Sequence, residues 1–307
     1  MLSPSPHFSI IIPTYCRPER LCLCLEAIAQ LDYPQERFEV VIVDDGSNPP
    51  LEPMVTPWCD VLPLRLIRQE NAGPASARNT GARQARGEFL IFTDDDCTPA
   101  TDWLSQLERC AAQAPDHLIG GRTLNALPDN IYSTASQLLI DYLYDYYNVE
   151  SDQATFFASN NFALPAHHFH QLGGFDVTFP LAAGEDREFC DRWLHHGLPM
   201  TYAPKMQINH AHKLSLSKFW RQHFNYGRGA FHFHQIRSQR QSAPMKVEPF
   251  SFYWNLLTYP LAKNEGWRTP PISGLFLLSQ IANVAGFFWE KYQQNHPSAT
   301  NQLQRQG

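Results

Sequence analysis

No Cys-x-x-Cys pair occurs in this 307-residue chain, and its seven cysteines stand scattered at 16, 22, 24, 59, 97, 110 and 190. The lone Cys-x-Cys at Cys22 and Cys24 is too small for a structural zinc site, so free thiols in a reducing compartment are expected. Basic excess is missing too: only 18% of residues are charged and the net charge is −6. That leaves no electrostatic footprint for a nucleic-acid binder. There is no fixed-period repeat. The glycine fingerprint of a dehydrogenase is absent, and the small-residue stretch at 71–82 matches neither G-x-G-x-x-G nor the P-loop. The opening MLSPSPHFSIII has no basic region followed by a long apolar one, so no secretory leader is expected and the location expected is cytoplasmic.

What the chain does have is apolar content of 43%, ample for one large α/β core with a smaller appended part. Over the first 121 residues strand and helix patterns alternate. FSIII (8–12), EVVIV (39–43), LPLRLI (62–67) and EFLIFT (88–93) read as strands. Pro18 opens a helix on which Leu21, Leu25 and Ile28 recur, residues 74–86 read as a small, polar surface helix, and 101–113 as another. This rhythm predicts a mostly parallel sheet flanked by helices on both faces. From 130 to 210 the pattern is less regular, with helices expected over 131–147 and from GEDREF onward to Gly197, then extended chain through TYAPKMQINHAH. A further aromatic helix is expected over 215–236.

Ligands of open α/β sheets bind beyond the carboxyl ends of the strands. There the sequence places PTYCR, DDGS and DDD. If the fourth strand continues, Asp94 and Asp96 point to one side and Asp95 to the other, and the first two make a hard oxygen site for Mg²⁺ or Mn²⁺. An EF-hand is excluded because Pro99 and Ser105 stand where Gly and Glu are needed. The plain alternative is a turn with helix-capping aspartates. Asp44-Asp45-Gly46-Ser47 reads equally well as a turn. In NAGPASARNTGA (71–82) the small residues admit a ligand close to the backbone and Arg78 suits a phosphate, or the segment simply packs closely on the sheet. Glu185 and Asp186 at the mouth of a helix are either capping residues or hold a general base. His210 and His212 share a face of an extended segment, where an imidazole completes a metal shell.

Together IIPTYCRPERL, VVIVDDGS, NAGPASARNTGA, FLIFTDDDC, GGFD and GEDREF resemble, in order and spacing, family 2 glycosyltransferases with the GT-A fold, over about residues 7–235. The resemblance implies an inverting transferase that moves a sugar from a nucleotide-diphosphate donor to an acceptor hydroxyl of a glycan, polysaccharide or lipid-linked molecule, assisted by Mg²⁺ or Mn²⁺. By motif match Pro13, Thr14, Tyr15 and Arg17 line the nucleotide pocket, Asp44 bonds the base, and Arg78 sits near the diphosphate. Asp94, near the ribose, and Asp95 belong to the donor side. Asp96 and His210 hold the metal, and Glu185 and Asp186 form the acidic pair near the acceptor, with Asp186 the base. The donor half is expected at 7–121 and the acceptor half at 122–235 of a domain spanning 1–235. A helical extension follows over 236–296 and a disordered tail over 297–307. A sugar-phosphate nucleotidyltransferase is the alternative enzyme, but it wants a Gly-rich basic loop where this chain has PTYCRPER. A non-catalytic carbohydrate-binding protein is the other alternative, against which the full set of acidic motifs argues.

Residues Thr269–Trp289 carry no formal charge and approach the length of a bilayer span, interrupted by Ser279, Gln280 and Asn283. The reading is an interfacial or protein-docked helix, with a true span as alternative. With the aromatic run at 252–261 it suggests peripheral contact with the inner face of a membrane.

Overall fold

The computed structural model describes residues 6–179, 183–241, 248–263 and 266–296, so the tail expected at 297–307 lies outside the described residues. The strands are β1 (Phe8–Thr14), β2 (Phe38–Asp44), β3 (Leu64–Arg68), β4 (Phe89–Thr93), β5 (Cys97–Pro99), β6 (Leu118–Asn125), β7 (Asn161–Pro165) and β8 (Met200–His210). They form one sheet in the order β3-β2-β1-β4-β7-β6-β8-β5. The helices are α1 (Pro18–Ala29), α2 (Glu52–Val55), α3 (Pro74–Gln84), α4 (Trp103–Gln113), α5 (Ile131–Tyr147), α6 (Ala166–Gln171), α7 (Glu185–His195), α8 (Leu216–Gln241), α9 (Phe250–Lys263) and α10 (Thr269–Asn295). All seven cysteines are free. Four of the seven strand pairings are parallel, as the strand–helix rhythm predicted of a mostly parallel sheet.

Strands β1, β2 and β4 are buried along their whole length, as their unbroken apolar runs require of strands covered on both faces. Their parallel pairing is in step: Phe8 lies opposite Phe38 and Phe89, and Thr14 opposite Asp44. The loops after β1, β2 and β4 therefore leave from one edge of the sheet. Two later pairings bring distant chain to that edge. Antiparallel β7 sets Asn161 opposite Thr93, and antiparallel β8 sets His210 opposite Cys97. One sheet face is filled by residues such as Ile10, Leu25, Val40 and Trp103. Elsewhere Phe92, Phe162, Phe169, Phe175 and Phe189 form an aromatic cluster with neighbouring ring centroids 5.1 to 6.2 Å apart.

Helix α3 differs from the surface helix expected at 74–86. Ala75, Ala77, Arg78, Asn79, Gly81 and Ala82 are buried. The small side chains serve close approach to the sheet: a Cβ at Gly81 would come within 2.6 Å of Ile11 and 3.2 Å of Val43. The polar residues inside α3 are there because they are bonded, as described below.

The chain divides into two compact units: Met1–Pro128 with Leu143–Val177 and Asp186–His212, and Asp129–Tyr142 with Thr178–Glu185 and Lys213–Gly307. The first holds the whole sheet. In the second, α8 and α10 cross where glycines remove side chains. A Cβ on Gly286 would collide with the Phe224 carbonyl, and one on Gly227 with the Asn283 carbonyl. Arg228 Nε donates to Glu290 Oε2 at 2.7 Å across the same crossing. In this unit, too, the Tyr142 hydroxyl donates to the Phe252 carbonyl on α9 at 2.6 Å.

Candidate active site

Strand β4 stops at Thr93, and Asp94 to Asp96 form a turn rather than a strand continuation. The turn gives each carboxylate its own cation. Arg78 Nη2 donates to Asp94 Oδ1 at 2.7 Å. Arg17 Nη1 and the Thr14 hydroxyl donate to Asp95 at 3.1 and 2.8 Å. Arg20 Nη1 donates to Asp96 Oδ2 at 2.6 Å, and His210 Nε2 lies 3.1 Å from Asp96 Oδ1. Three like charges at the end of a buried strand are thus matched by three guanidinium groups, which makes the crowding tolerable. Sequence reasoning missed Arg20. Its signal was the spacing from Arg17, three residues on in the first turn of α1, which puts both on one helix face.

Burial raises the Asp95 carboxyl to about 6, with Arg17 pulling it down and Asp96 pushing it up. Burial would raise Asp96 as well, but the hydrogen bond and charge of His210 outweigh it and hold Asp96 well below the usual carboxylate range. His210 answers: burial lowers its pKa, yet Asp96 leaves it raised overall. Its neighbour His212, with ring centroids 5.1 Å apart, is lowered to about 4 by burial and by the His210 charge.

The loop after β1 positions Arg17. Pro13 and Thr14 are buried at the strand end, and Tyr15 is half exposed. Cys16 adopts φ +53°, a left-handed conformation uncommon outside glycine, and its N–H donates to the Ser47 hydroxyl at 2.8 Å. Pro18 then starts α1 at its first position.

Asp44 and Asp45 serve the neighbouring loops. The buried Asp44 carboxylate accepts the N–H groups of Ser47 at 2.9 Å and Leu51 at 3.4 Å. Asp45 accepts from Gln69 Nε2 at 2.7 Å, Ala72 N–H at 3.0 Å and Gly73 N–H at 2.9 Å. It ties the DDGS turn to the segment that opens α3. Sequence reasoning gave Asp45 no such task, because nothing local marks a carboxylate whose partners lie more than twenty residues on.

Asp186 is the second residue of α7 and is half-buried. Burial raises its pKa, opposed by the N–H groups of Arg187 (2.7 Å) and Ser159 and by the positive charge of Arg78. The guanidinium that bonds Asp94 thus also lowers the Asp186 pKa through its charge. Glu185, first residue of α7, is buried and belongs to the second compact unit, the boundary falling between it and Asp186. Beyond Asp186, Arg187 Nη2 donates to the Tyr147 hydroxyl at 3.2 Å and its guanidinium lies over the same ring.

Asp96, Cys97 and His210 offer ligand atoms within 4.8 Å of one another. The Cys97 thiol is fully buried and its pKa is pushed well above normal by that burial and by Asp94, so it is no thiolate. A carboxylate oxygen and an imidazole nitrogen remain. Two cis ligands about 2.1 Å from an octahedral ion are about 3 Å apart. The 3.1 Å between Asp96 Oδ1 and His210 Nε2 fits that spacing, and Arg20 holds the other oxygen of Asp96. A second group, Asp116, His167 and His168, lies with α6 in the region of the Phe89 end of β4, since β7 sets Pro165 opposite Phe89.

Comparison with known proteins adds to this geometry. The model of "Glycosyl transferase family 2" matches residues 9–173, more than half of the chain, and that of the "N-terminal domain of galactosyltransferase" matches 141–215. The chain is 31% identical over 224 residues to validoxylamine A glucosyltransferase of Streptomyces hygroscopicus subsp. limoneus, covering 64% of this chain and 49% of that protein. It is 34% identical over 132 residues to the glycosyltransferase AglE of Haloferax volcanii, covering 42% and 43% respectively. The chain thus spans about half the length of the curated relatives it matches. Among solved structures, a mannosyltransferase from Pyrobaculum calidifontis in complex with GDP-Man and Mn²⁺ superposes with TM-score 0.68 at 19% identity, over 94% of this chain and 88% of that one. Staphylococcus aureus TarS in complex with UDP-GlcNAc gives TM-score 0.52 at 16% identity, over 94% and 91%. At these identities the likeness is one of fold.

Proposed function

The chain belongs to glycosyl transferase family 2, and from that premise we propose that it transfers a sugar, with inversion, from a nucleotide-diphosphate donor to an acceptor hydroxyl. The acceptor is a glycan, a polysaccharide or a lipid-linked saccharide. One observation carries the reading: a single buried guanidinium, Arg78, bonds Asp94 on the proposed donor side at 2.7 Å, and its charge is felt by Asp186, the proposed base.

Asp186 takes the acceptor proton while the acceptor oxygen attacks the anomeric carbon. The bond from that carbon to the diphosphate oxygen breaks on the opposite face, and its electron pair leaves with the nucleoside diphosphate. One displacement inverts the centre and needs no covalent enzyme intermediate. Pro13, Thr14, Tyr15 and Arg17 line the nucleotide pocket, with Asp44 shaping the loop that meets the base. With His210 neutral, as a ligand must be, the acidic turn and its arginines balance, −3 from Asp94, Asp95 and Asp96 against +3 from Arg17, Arg20 and Arg78. A donor diphosphate therefore arrives as unmatched negative charge. Asp96 and His210 would hold the divalent ion that neutralises it, and when bound the ion supplies Lewis-acid stabilisation of the departing diphosphate. The imidazole ligand moves preference from Mg²⁺ toward Mn²⁺. The Mn²⁺ and GDP-Man of the Pyrobaculum enzyme and the UDP-GlcNAc of TarS support a nucleotide-sugar donor and a divalent ion.

The test is calorimetric titration of UDP, GDP and dTDP with and without Mn²⁺ on the wild type, Asp96→Ala and His210→Ala. Binding of one nucleotide that needs the ion and is lost in both variants supports the site and names the donor class. Nucleotide binding that ignores the ion sinks the metal assignment, and binding of none sinks the donor site.

A further inference from the structure

Helix α10 exposes large apolar residues on the side opposite its buried face. The buried face carries Ile272, Leu275 and Phe276 in its first half and Ser279, Ala282, Gly286 and Glu290 after them, and packs on α8 through the glycine contacts and the Arg228–Glu290 pair. Its opposite face carries Leu277, Ile281, Val284, Phe288 and Tyr292, each between 51% and 59% exposed. These recur at intervals of three and four, so they form one stripe about 22 Å long. No charged residue occurs in the helix before Glu290. A water-facing helix puts polar residues on its outer face. An outer face made of large apolar residues marks contact with an apolar medium or partner.

The charge of this region chooses between occupants. Helices α8, α9 and α10 together hold seven Lys and Arg and one Asp or Glu, whereas the rest of the chain holds 17 and 29. The single acid, Glu290, is turned inward against Arg228. A chain of net charge −6 thus concentrates a net +6 on the helices of this unit, five of the positive charges being on α8, which packs against the helix that exposes the stripe. Two copies meeting on that unit would bring like charge together, while an anionic lipid surface would attract it. Trp254, Trp267 and Trp289 are exposed on the same unit, which suits residues that rest at headgroup depth.

We propose that the exposed face of α10 docks on the surface of an anionic phospholipid bilayer. The helix lies in the interface with its stripe in the acyl boundary, and its other face stays on α8. Among the described residues Gly266–Asn295 is the one helix long and apolar enough to cross a membrane by length and composition, but a spanning helix would have to leave the packed glycine contacts with α8. The proposal rests on the surface of the second unit and not on the transferase reading.

The test is flotation of the full chain with vesicles of phosphatidylcholine alone and with 30% phosphatidylglycerol, at low salt and in 0.5 M NaCl. Wild type, Ile281→Glu with Phe288→Glu, and the milder Val284→Ser are compared, with thermal melts confirming that each is folded. Expected is binding to the anionic vesicles, weakened by salt, at least tenfold weaker in the double variant and measurably weaker in Val284→Ser. The proposal is overturned by absence of wild-type binding, by equal binding of the folded variants, or by a wild-type dimer that the same substitutions dissociate. Binding that survives alkaline carbonate extraction would also overturn it, in favour of a span.

Discussion

Asn79 grips the peptide of Phe175 from both sides: its Nδ2 donates to the Phe175 carbonyl at 2.8 Å, and its Oδ1 accepts the Phe175 N–H at 2.8 Å. A side chain on α3 thereby stands in for a strand neighbour to a loop 96 residues away. Gly174, beside it, has φ +75°, and a Cβ there would come within 2.5 Å of Asn79 Oδ1. The GGFD segment thus uses glycine both for its backbone angle and to admit this amide. Asn79→Ala strands a buried N–H and C=O, and should cost about 2–3 kcal/mol in urea denaturation. Asn79→Asp keeps the acceptor but loses the donor, so it should fall between the wild type and the alanine variant.

Asp186→Asn separates activity from stability. If Asp186 is the base, transfer falls by roughly 10²–10⁴, while nucleotide affinity is retained. Burial raises the Asp186 pKa in the folded protein, so folding favours its protonated form and ionisation is a cost to stability above that raised pKa. The neutral amide removes this cost, and the variant should melt at the same temperature as the wild type or higher at pH 7. In the wild type, activity should rise with pH on an acid limb placed above the ordinary aspartate pKa. A variant that loses both activity and folding would contradict the assignment.

Glu39 should set an acid limit to stability. Its buried carboxylate accepts from the Ser9 hydroxyl at 2.7 Å, Arg86 N–H at 2.6 Å, Arg86 Nε at 3.0 Å and Arg65 Nη2 at 3.0 Å. Burial would raise its pKa, but these donors hold it below the usual 4.5. Its contribution is complete above the unfolded-state value and is lost as pH falls through the lower folded value. Glu39→Gln should cost about 1–3 kcal/mol at pH 7, discounted because both arginines are partly exposed. The difference in melting temperature between variant and wild type should shrink below pH 4.5.

Gly286→Ala should destabilise the crossing of α8 and α10. The added methyl meets the Phe224 carbonyl, which belongs to helix backbone and cannot step aside. A cost of about 1–3 kcal/mol is expected in thermal melts, against the gain an exposed helical glycine gives on the same change. Gly274→Ala, on α10 where nothing lies within 4 Å, supplies that comparison and should be neutral or stabilising.

The pattern of β1, β2 and β4 was legible because buried parallel strands announce themselves as unbroken apolar runs, and the acidic stops after them marked one edge of the sheet. Helix α5 matches the expected 131–147, and α7 ends before Gly197, which has φ +74°. What the sequence concealed were long-range partners. Arg20 looks like an ordinary solvent-facing arginine until Asp96 is folded against it. Asp45 looks like a turn residue until Ala72 and Gly73 close on it. The burial of α3 was hidden for the same reason, since a helix of small and polar residues reads as a surface helix when Asp94 and Phe175, the partners of Arg78 and Asn79, are out of view.

The pairing of β5 with β8 fixes when the proposed metal pair can exist. Asp96 and His210 are 114 residues apart, and they meet because Cys97 and His210 are register partners on adjacent strands. A chain emerging from its N-terminus completes the acidic turn and its arginines long before it holds the imidazole. The competence to hold an ion arrives in one step, with the last strand of the sheet.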